Sequence, residues 1–152
     1  MKIGILTFHC AHNYGAILQC FGLQEYLKSL GHDVFVIDYR PDYLTRGYKR
    51  HSFRDWICSN PLLTIQKLLN EPFLYKTRSK RYDNFDTFIK TKLRLYPYTK
   101  GMDFREFDAI FLGSDQIWEA PITDGKFDDV FFGVGAKCKV IAYAASNKTK
   151  KL

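Results

Sequence analysis

The side chains able to do chemistry in this 152-residue chain fall in three short polar clusters: His9 to Asn13 (HCAHN), Gly113 to Gln116 (GSDQ) and Ser146 with Asn147. An imidazole titrates near neutral pH, so His9 is a candidate general acid or base. The carboxylate of Asp115 is a second proton acceptor, and Gly113, Ser114 and Gln116 surround it with hydrogen-bonding groups. A solvated histidine and a helix cap at Ser114 or Asp115 are the plain alternatives for the same residues. The run Asn13-Tyr14-Gly15-Ala16 reads as a helix start, where unpaired N–H groups and the positive dipole end favour a phosphate or carboxylate. Close packing of that helix on a sheet explains Gly15 and Ala16 equally well. His9, Cys10 and His12 crowd one loop, yet no second His or Cys pair in the chain completes the ligand set of a zinc site.

These clusters need elements to hold them. Lys2 to Phe8 (KIGILTF) is an apolar, β-branched run of strand length, and residues 14–30 carry Ala16, Leu18, Phe21, Leu23, Leu27 and Leu30 at mostly three- and four-residue steps. The second pattern predicts a helix, with Asn13 as its N-cap and Gly31 just past its end. Asp33 to Tyr39 (DVFVIDY) is a second strand, so the chain opens β-loop-α-β with a parallel crossover. Phe107 to Gly113 (FDAIFLG) and Val140 to Ala144 (VIAYA) predict two further buried strands, and helical pieces are expected around 52–70 and 78–92. The expected fold class is α/β, a Rossmann-like parallel sheet with flanking helices. In such sheets ligands bind outside the carboxyl ends of the strands, where all three polar clusters stand.

The composition excludes several function classes. No apolar run approaches the roughly 20 residues of a membrane-spanning helix, the amino-terminal residues do not read as a signal peptide, and a cytoplasmic address is expected. Four cysteines, at 10, 20, 58 and 138, form no CxxC pair and read as reduced thiols, with Cys20 and Cys138 in the core. His32 and His51 read as surface residues. The net charge of +7 is uneven: residues 40–100 hold 14 Lys+Arg against 5 Asp+Glu, a net +9, and the rest of the chain is net −2. That basic stretch suits an anionic substrate, polymer or membrane surface, or is simply a solvated insertion. No recognised nucleic-acid motif accompanies it, and no nucleic-acid partner is expected.

Four ordered motifs add a resemblance. ILTFHxAxNYGAxLQ at 5–19, GHxVxVIDYRP at 31–41, FDAIxxGSDQIW at 107–118 and IAYAAS at 141–146 together resemble the polysaccharide pyruvyl transferase family over almost the whole chain. The resemblance implies the N-terminal half of a two-domain, glycosyltransferase-B-like enzyme whose active site lies between two Rossmann-type halves. On that expectation residues 1–152 are the first half, carrying a basic helical insertion at about 40–100, and the C-terminal domain is absent. It also implies transfer of the enolpyruvyl unit of phosphoenolpyruvate to a sugar of a cell-surface polysaccharide as a pyruvate ketal. No further cofactor is firmly implied. The expected partners are a sugar or lipid-linked oligosaccharide acceptor and, peripherally, the cytoplasmic face of the membrane.

Carried onto this sequence, the resemblance makes Asp115 and His9 catalytic and Asn13, Tyr14, Gly15, Gly113, Ser114, Gln116 and Ser146 substrate-binding. Three alternatives stay open: a sugar-nucleotide glycosyltransferase of similar architecture, a non-catalytic anion-binding module, and an inactive truncated remnant.

Overall fold

A computed structural model of the chain describes residues 1–46, 79–113, 115–119, 123 and 125–146. The predicted helix at 52–70, together with Cys58 and His51, lies outside them.

The elements run β1 (Lys2–Leu6), α1 (Tyr14–Ser29), β2 (Asp33–Asp38), a single turn α2 (Asp42–Thr45), a helix α3 that continues through residues 79–92, β3 (Leu95–Pro97), β4 (Ala109–Leu112), a 3₁₀ turn (Asp129–Phe132) and β5 (Lys139–Ala142). All five strands are parallel, in the order β3-β2-β1-β4-β5. β1 is therefore central, with Ile3 beside both Val34 of β2 and Ala109 of β4.

Side-chain alternation along the strands splits the core into two layers. Ile3, Ile5, Val34 and Val36 pack with Ile17, Cys20, Leu23 and Leu27 of α1 and with Phe85 and Ile89 of α3. Leu6, Ile37, Ile110 and Leu112 face the other way, against Leu44, Phe104, Phe107, Ile117 and Phe131. Gly4 belongs to this second face, where an added Cβ would stand 3.1 Å from Ile37 Cδ1 and 3.3 Å from Ile110 Cγ2. Helices α1 and α3 thus cover one face, and the segments after β3, together with Leu44 of α2, cover the other, the pattern of a doubly wound sheet.

Three sequence expectations change. On α1 the buried stripe is Ala16, Ile17, Cys20, Leu23, Gln24 and Leu27, while Leu18 and Leu30 are exposed. At 3.6 residues per turn Ile17, Cys20, Gln24 and Leu27 share one side and Leu18 is rotated off it. The strand predicted at 140–144 is an edge strand with only Ile141 half-buried, because one flank of β5 has no neighbour among the described residues. β3 was hidden in the sequence: its three residues pair with Val36, Ile37 and Asp38, and Pro97 is tolerated on an edge strand where no ladder N–H is needed.

Gln24 explains how α3 is joined to α1. Although it is only 1% exposed, its amide is satisfied on both sides: Nε2 donates to the Lys92 carbonyl at 2.9 Å and Oε1 accepts from the Arg94 N–H at 2.7 Å. These are backbone groups at a helix end that would otherwise lack partners.

Candidate functional site

The strand order reverses direction between β1 and β4, and that is where an open parallel sheet leaves a crevice at its carboxyl edge. The loops leaving these two strands start side by side, with the Gly113 N–H donating to the Leu6 carbonyl at 3.1 Å. The segment after β5 joins them, since the Ser146 N–H donates to the Asp115 carbonyl at 3.1 Å. The fold thus gathers the His9, Gly113–Gln116 and Ser146 clusters along one edge. Ser114 and Asn147 lie outside the described residues.

Gly113 is where this edge depends on one residue type. Its φ is +107°, and a Cβ there would lie 2.2 Å from the Tyr143 carbonyl oxygen. Two residues on, Asp115 Oδ1 accepts from the Gln116 N–H at 2.8 Å, a local turn rather than the helix cap considered from sequence. Ile117 is fully buried and anchors the turn from below. Trp118 is half-buried at the rim, stacked on Phe132 with centroids 5.5 Å apart and its Nε1–H donating to the Phe131 carbonyl at 3.1 Å.

His9 differs from the polar loop residue expected. Its relative exposure is 0%, because the chain folds back directly after β1: the His9 N–H donates to the Thr7 carbonyl at 2.8 Å, and Phe8, Cys10 and Ala11 are buried with it. The ring lies between two acceptors, with Nε2 2.8 Å from Asp38 Oδ1 and Nδ1 3.3 Å from the Thr7 carbonyl. Asp38 Oδ1 also accepts from Arg40 Nε at 2.6 Å. Burial alone would raise the Asp38 pKa; hydrogen bonds and charge from His9 and Arg40 outweigh it and hold the carboxyl below its ordinary value. Arg40 is raised in turn, Asp38 overcoming the opposing effect of burial.

Asp38 and Arg40 were not among the sequence candidates. The signal that finds them is the same strand-end rule, applied to Asp33 to Tyr39: a buried strand that finishes in Asp-Tyr-Arg places polar groups on the ligand edge. Tyr39 and Tyr43 strengthen this end of β2, both hydroxyls donating to Asp128 Oδ2, at 2.7 and 2.6 Å, while Asp128 Oδ1 caps the 3₁₀ turn at the Val130 N–H.

The start of α1 is organised toward α3. Asn13 caps the helix, its side-chain oxygen accepting from the Gly15 N–H at 2.8 Å. Tyr14 is exposed, its ring 4.6 Å from Phe85 and beneath the Arg81 guanidinium at 5.6 Å. His12 stacks on Phe85 at 5.2 Å and meets the Tyr82 ring at 4.5 Å. Its pKa is lowered, chiefly by burial, with Arg81 and Arg40 adding to the effect against Asp86. Burial likewise pushes the Cys10 thiol up to about 11. Among the described residues no three His, Cys, Asp or Glu side chains gather as a metal-binding group.

The profile of the polysaccharide pyruvyl transferase family matches residues 13–150. The chain belongs to the polysaccharide pyruvyl transferase family. No curated protein and no solved structure matches it. The family match spans every strand but β1 and takes in Asn13, the Asp38–Arg40 pair and the Asp115–Gln116 turn, while His9 lies just outside it. No helix of the chain, among the described residues, is long and apolar enough to cross a membrane. Within the basic stretch, Arg94 pairs with Asp33 and Lys90 with Asp86.

Proposed function

We propose that this chain supplies one half of a transferase that moves the enolpyruvyl unit of phosphoenolpyruvate onto a sugar of a cell-surface polysaccharide. The observation that carries the reading is the placement of the Asp115 turn and the Gly113 crossing at the β1/β4 switch point of a family member, with the Asp38–Arg40 pair at the neighbouring carboxyl end of β2 and tied to the loop after β1 through His9. The partner half is a second Rossmann-type domain in a glycosyltransferase-B-like arrangement, closing over this edge. The acceptor is a sugar or lipid-linked oligosaccharide presented at the cytoplasmic face of the membrane.

In the reaction, two hydroxyls of the acceptor add to C2 of the enolpyruvyl group. One hydroxyl proton ends on C3, turning the methylene into a methyl group; the C2–O bond to phosphate breaks, and the second proton leaves with the phosphate. Asp115 is the group assigned to accept and return these protons, because its turn stands at the switch point with Oδ1 already engaged by Gln116. His9, buried, acts on substrate only through Asp38 and Arg40. Gly113, Gln116 and Ser146 line the acceptor side, and Asn13, Tyr14 and Gly15 border it at the start of α1.

Thermal unfolding of the 152-residue chain with each donor tests this. A ligand that binds only the folded state raises its apparent stability. Phosphoenolpyruvate is expected to raise the midpoint and a nucleotide-sugar to leave it unchanged. The opposite pattern establishes a sugar-nucleotide glycosyltransferase and overturns the proposal.

A further inference from the structure

The described arginines differ in how their donors are used. Arg105 gives both Nε and Nη2 to Asp103, Arg94 gives Nη1 to Asp33, and Arg81 gives Nη2 to the His12 carbonyl while lying over the Tyr14 and Phe85 rings. Arg40 bonds through Nε alone, to Asp38 Oδ1 at 2.6 Å, and its side chain is 38% exposed. Its Nη1–Nη2 edge therefore has no partner among the described residues. That edge is the planar pair of donors that fits a phosphate or carboxylate with two parallel hydrogen bonds.

What lies behind Arg40 is unusually firm for a surface arginine. Asp38 is gripped by the fully buried His9, and His9 is set by Thr7, so the guanidinium is oriented from the core outward. A fork oriented before binding loses less freedom on capturing a ligand. Its place is also informative: two residues past the end of β2, at the carboxyl edge, with its field felt at Cys10 and His12 in the loop after β1. Arg40 also feels the carboxylate of Asp86, but that carboxylate is bound by Lys90 Nζ at 2.7 Å.

We propose that Arg40, aimed by the His9–Asp38 pair, is an oxyanion-binding residue of the site and takes the phosphate or carboxylate of the small anionic substrate on its Nη1–Nη2 edge. The proposal rests on the donor reading above for the identity of that substrate, and not for the existence of the anion site.

Isothermal titration of the full chain with inorganic phosphate, pyruvate and phosphoenolpyruvate tests it, on the wild type and on Arg40→Gln, Arg40→Lys, Asp38→Asn and the exposed control Lys126→Gln, each checked for fold by circular dichroism. The wild type is expected to bind phosphoenolpyruvate and at least one of the simple anions, phosphate marking a phosphate subsite and pyruvate a carboxylate one. R40Q should weaken binding tenfold or more, R40K should recover only part of it, and D38N should weaken it several-fold with the Arg40 charge still present. K126Q should bind as wild type. Binding by R40Q within twofold of wild type, equal weakening in K126Q, or a wild type that binds none of the three overturns the proposal. If R40Q fails to fold, R40K decides: wild-type affinity there overturns the bidentate fork. Loss of phosphate binding in R40Q, with phosphoenolpyruvate bound no better than phosphate, upholds Arg40 while the donor reading falls. Equal phosphoenolpyruvate binding by wild type and R40Q does the reverse.

Discussion

The backbone at Gly113 passes so close to the carbonyl of Tyr143 that a Cβ would sit 2.2 Å from that oxygen, at a φ of +107°. β4 and the chain leaving β5 are joined there, the Tyr143 N–H donating to the Leu112 carbonyl at 2.8 Å. Gly113→Ala is expected to cost about 3 kcal/mol or more, since strain and a backbone clash combine. Urea unfolding of the variant against wild type measures it, and a loss below about 1 kcal/mol contradicts this account of the edge.

Asp38 should make the protein acid-sensitive. Its folded pKa lies below the ordinary 3.8, so its contribution is fully present above that value and is lost as the pH falls through the lowered one. Asp38→Asn should cost about 1 kcal/mol at pH 7, the low end for bonds to a charged group because the carboxylate is partly in water. The variant's stability should also fall less steeply in acid. Denaturant midpoints from about pH 7 to pH 3, with both proteins side by side, read the difference in slope.

Tyr39 and Tyr43 titrate in the opposite sense. Burial first, and the Asp128 carboxylate second, raise both phenols above their ordinary value of 10. The stability they contribute is complete below that value and declines as the pH rises past it. Tyr43→Phe should cost about 1 kcal/mol at neutral pH and reduce the alkaline decline, which a stability profile through the tyrosine range will show.

Gln24→Leu keeps the volume and removes the bonds to Lys92 and Arg94. Two backbone groups then lose their partner, at a cost of about 2–4 kcal/mol. Hydrogen exchange is the direct check: the Arg94 amide should exchange faster while amides in the centre of β1 slow or quicken only with global stability.

The thiols of Cys10 and Cys20, pushed up to about 11 and about 12 by burial, should resist alkylation in the folded chain near neutral pH. Peptide mapping after iodoacetamide treatment should find both unmodified until denaturant is added.

The parallel α/β architecture was legible because strong local patterns and long-range pairing agree. β1, α1, β2 and β4 are apolar runs or stripes with clear stops, and each formed where the residues indicated, within two residues at most ends. The candidate edge was legible too, since polar residues directly after buried parallel strands have few structural uses. The stripe of α1 was misread at Leu18 and Leu30 because apolar residues on an exposed face look the same in one dimension as those in the core.

Tertiary structure alone decided the rest. β3 exists because Val36, Ile37 and Asp38 offer a ladder to Leu95, Tyr96 and Pro97, a pairing no local propensity announces. His9 is a buried strut rather than a solvated base because the turn after Leu6 folds it against Asp38, 29 residues away in sequence, and burial is a property of what packs above a residue. The sequence by itself determined β1, β2, β4 and β5, the first helix and the polar strand ends. Which of those polar groups face water, and which are spent holding one another, depended on the order β3-β2-β1-β4-β5, because that order sets the neighbours across which hydrogen bonds and burial are shared.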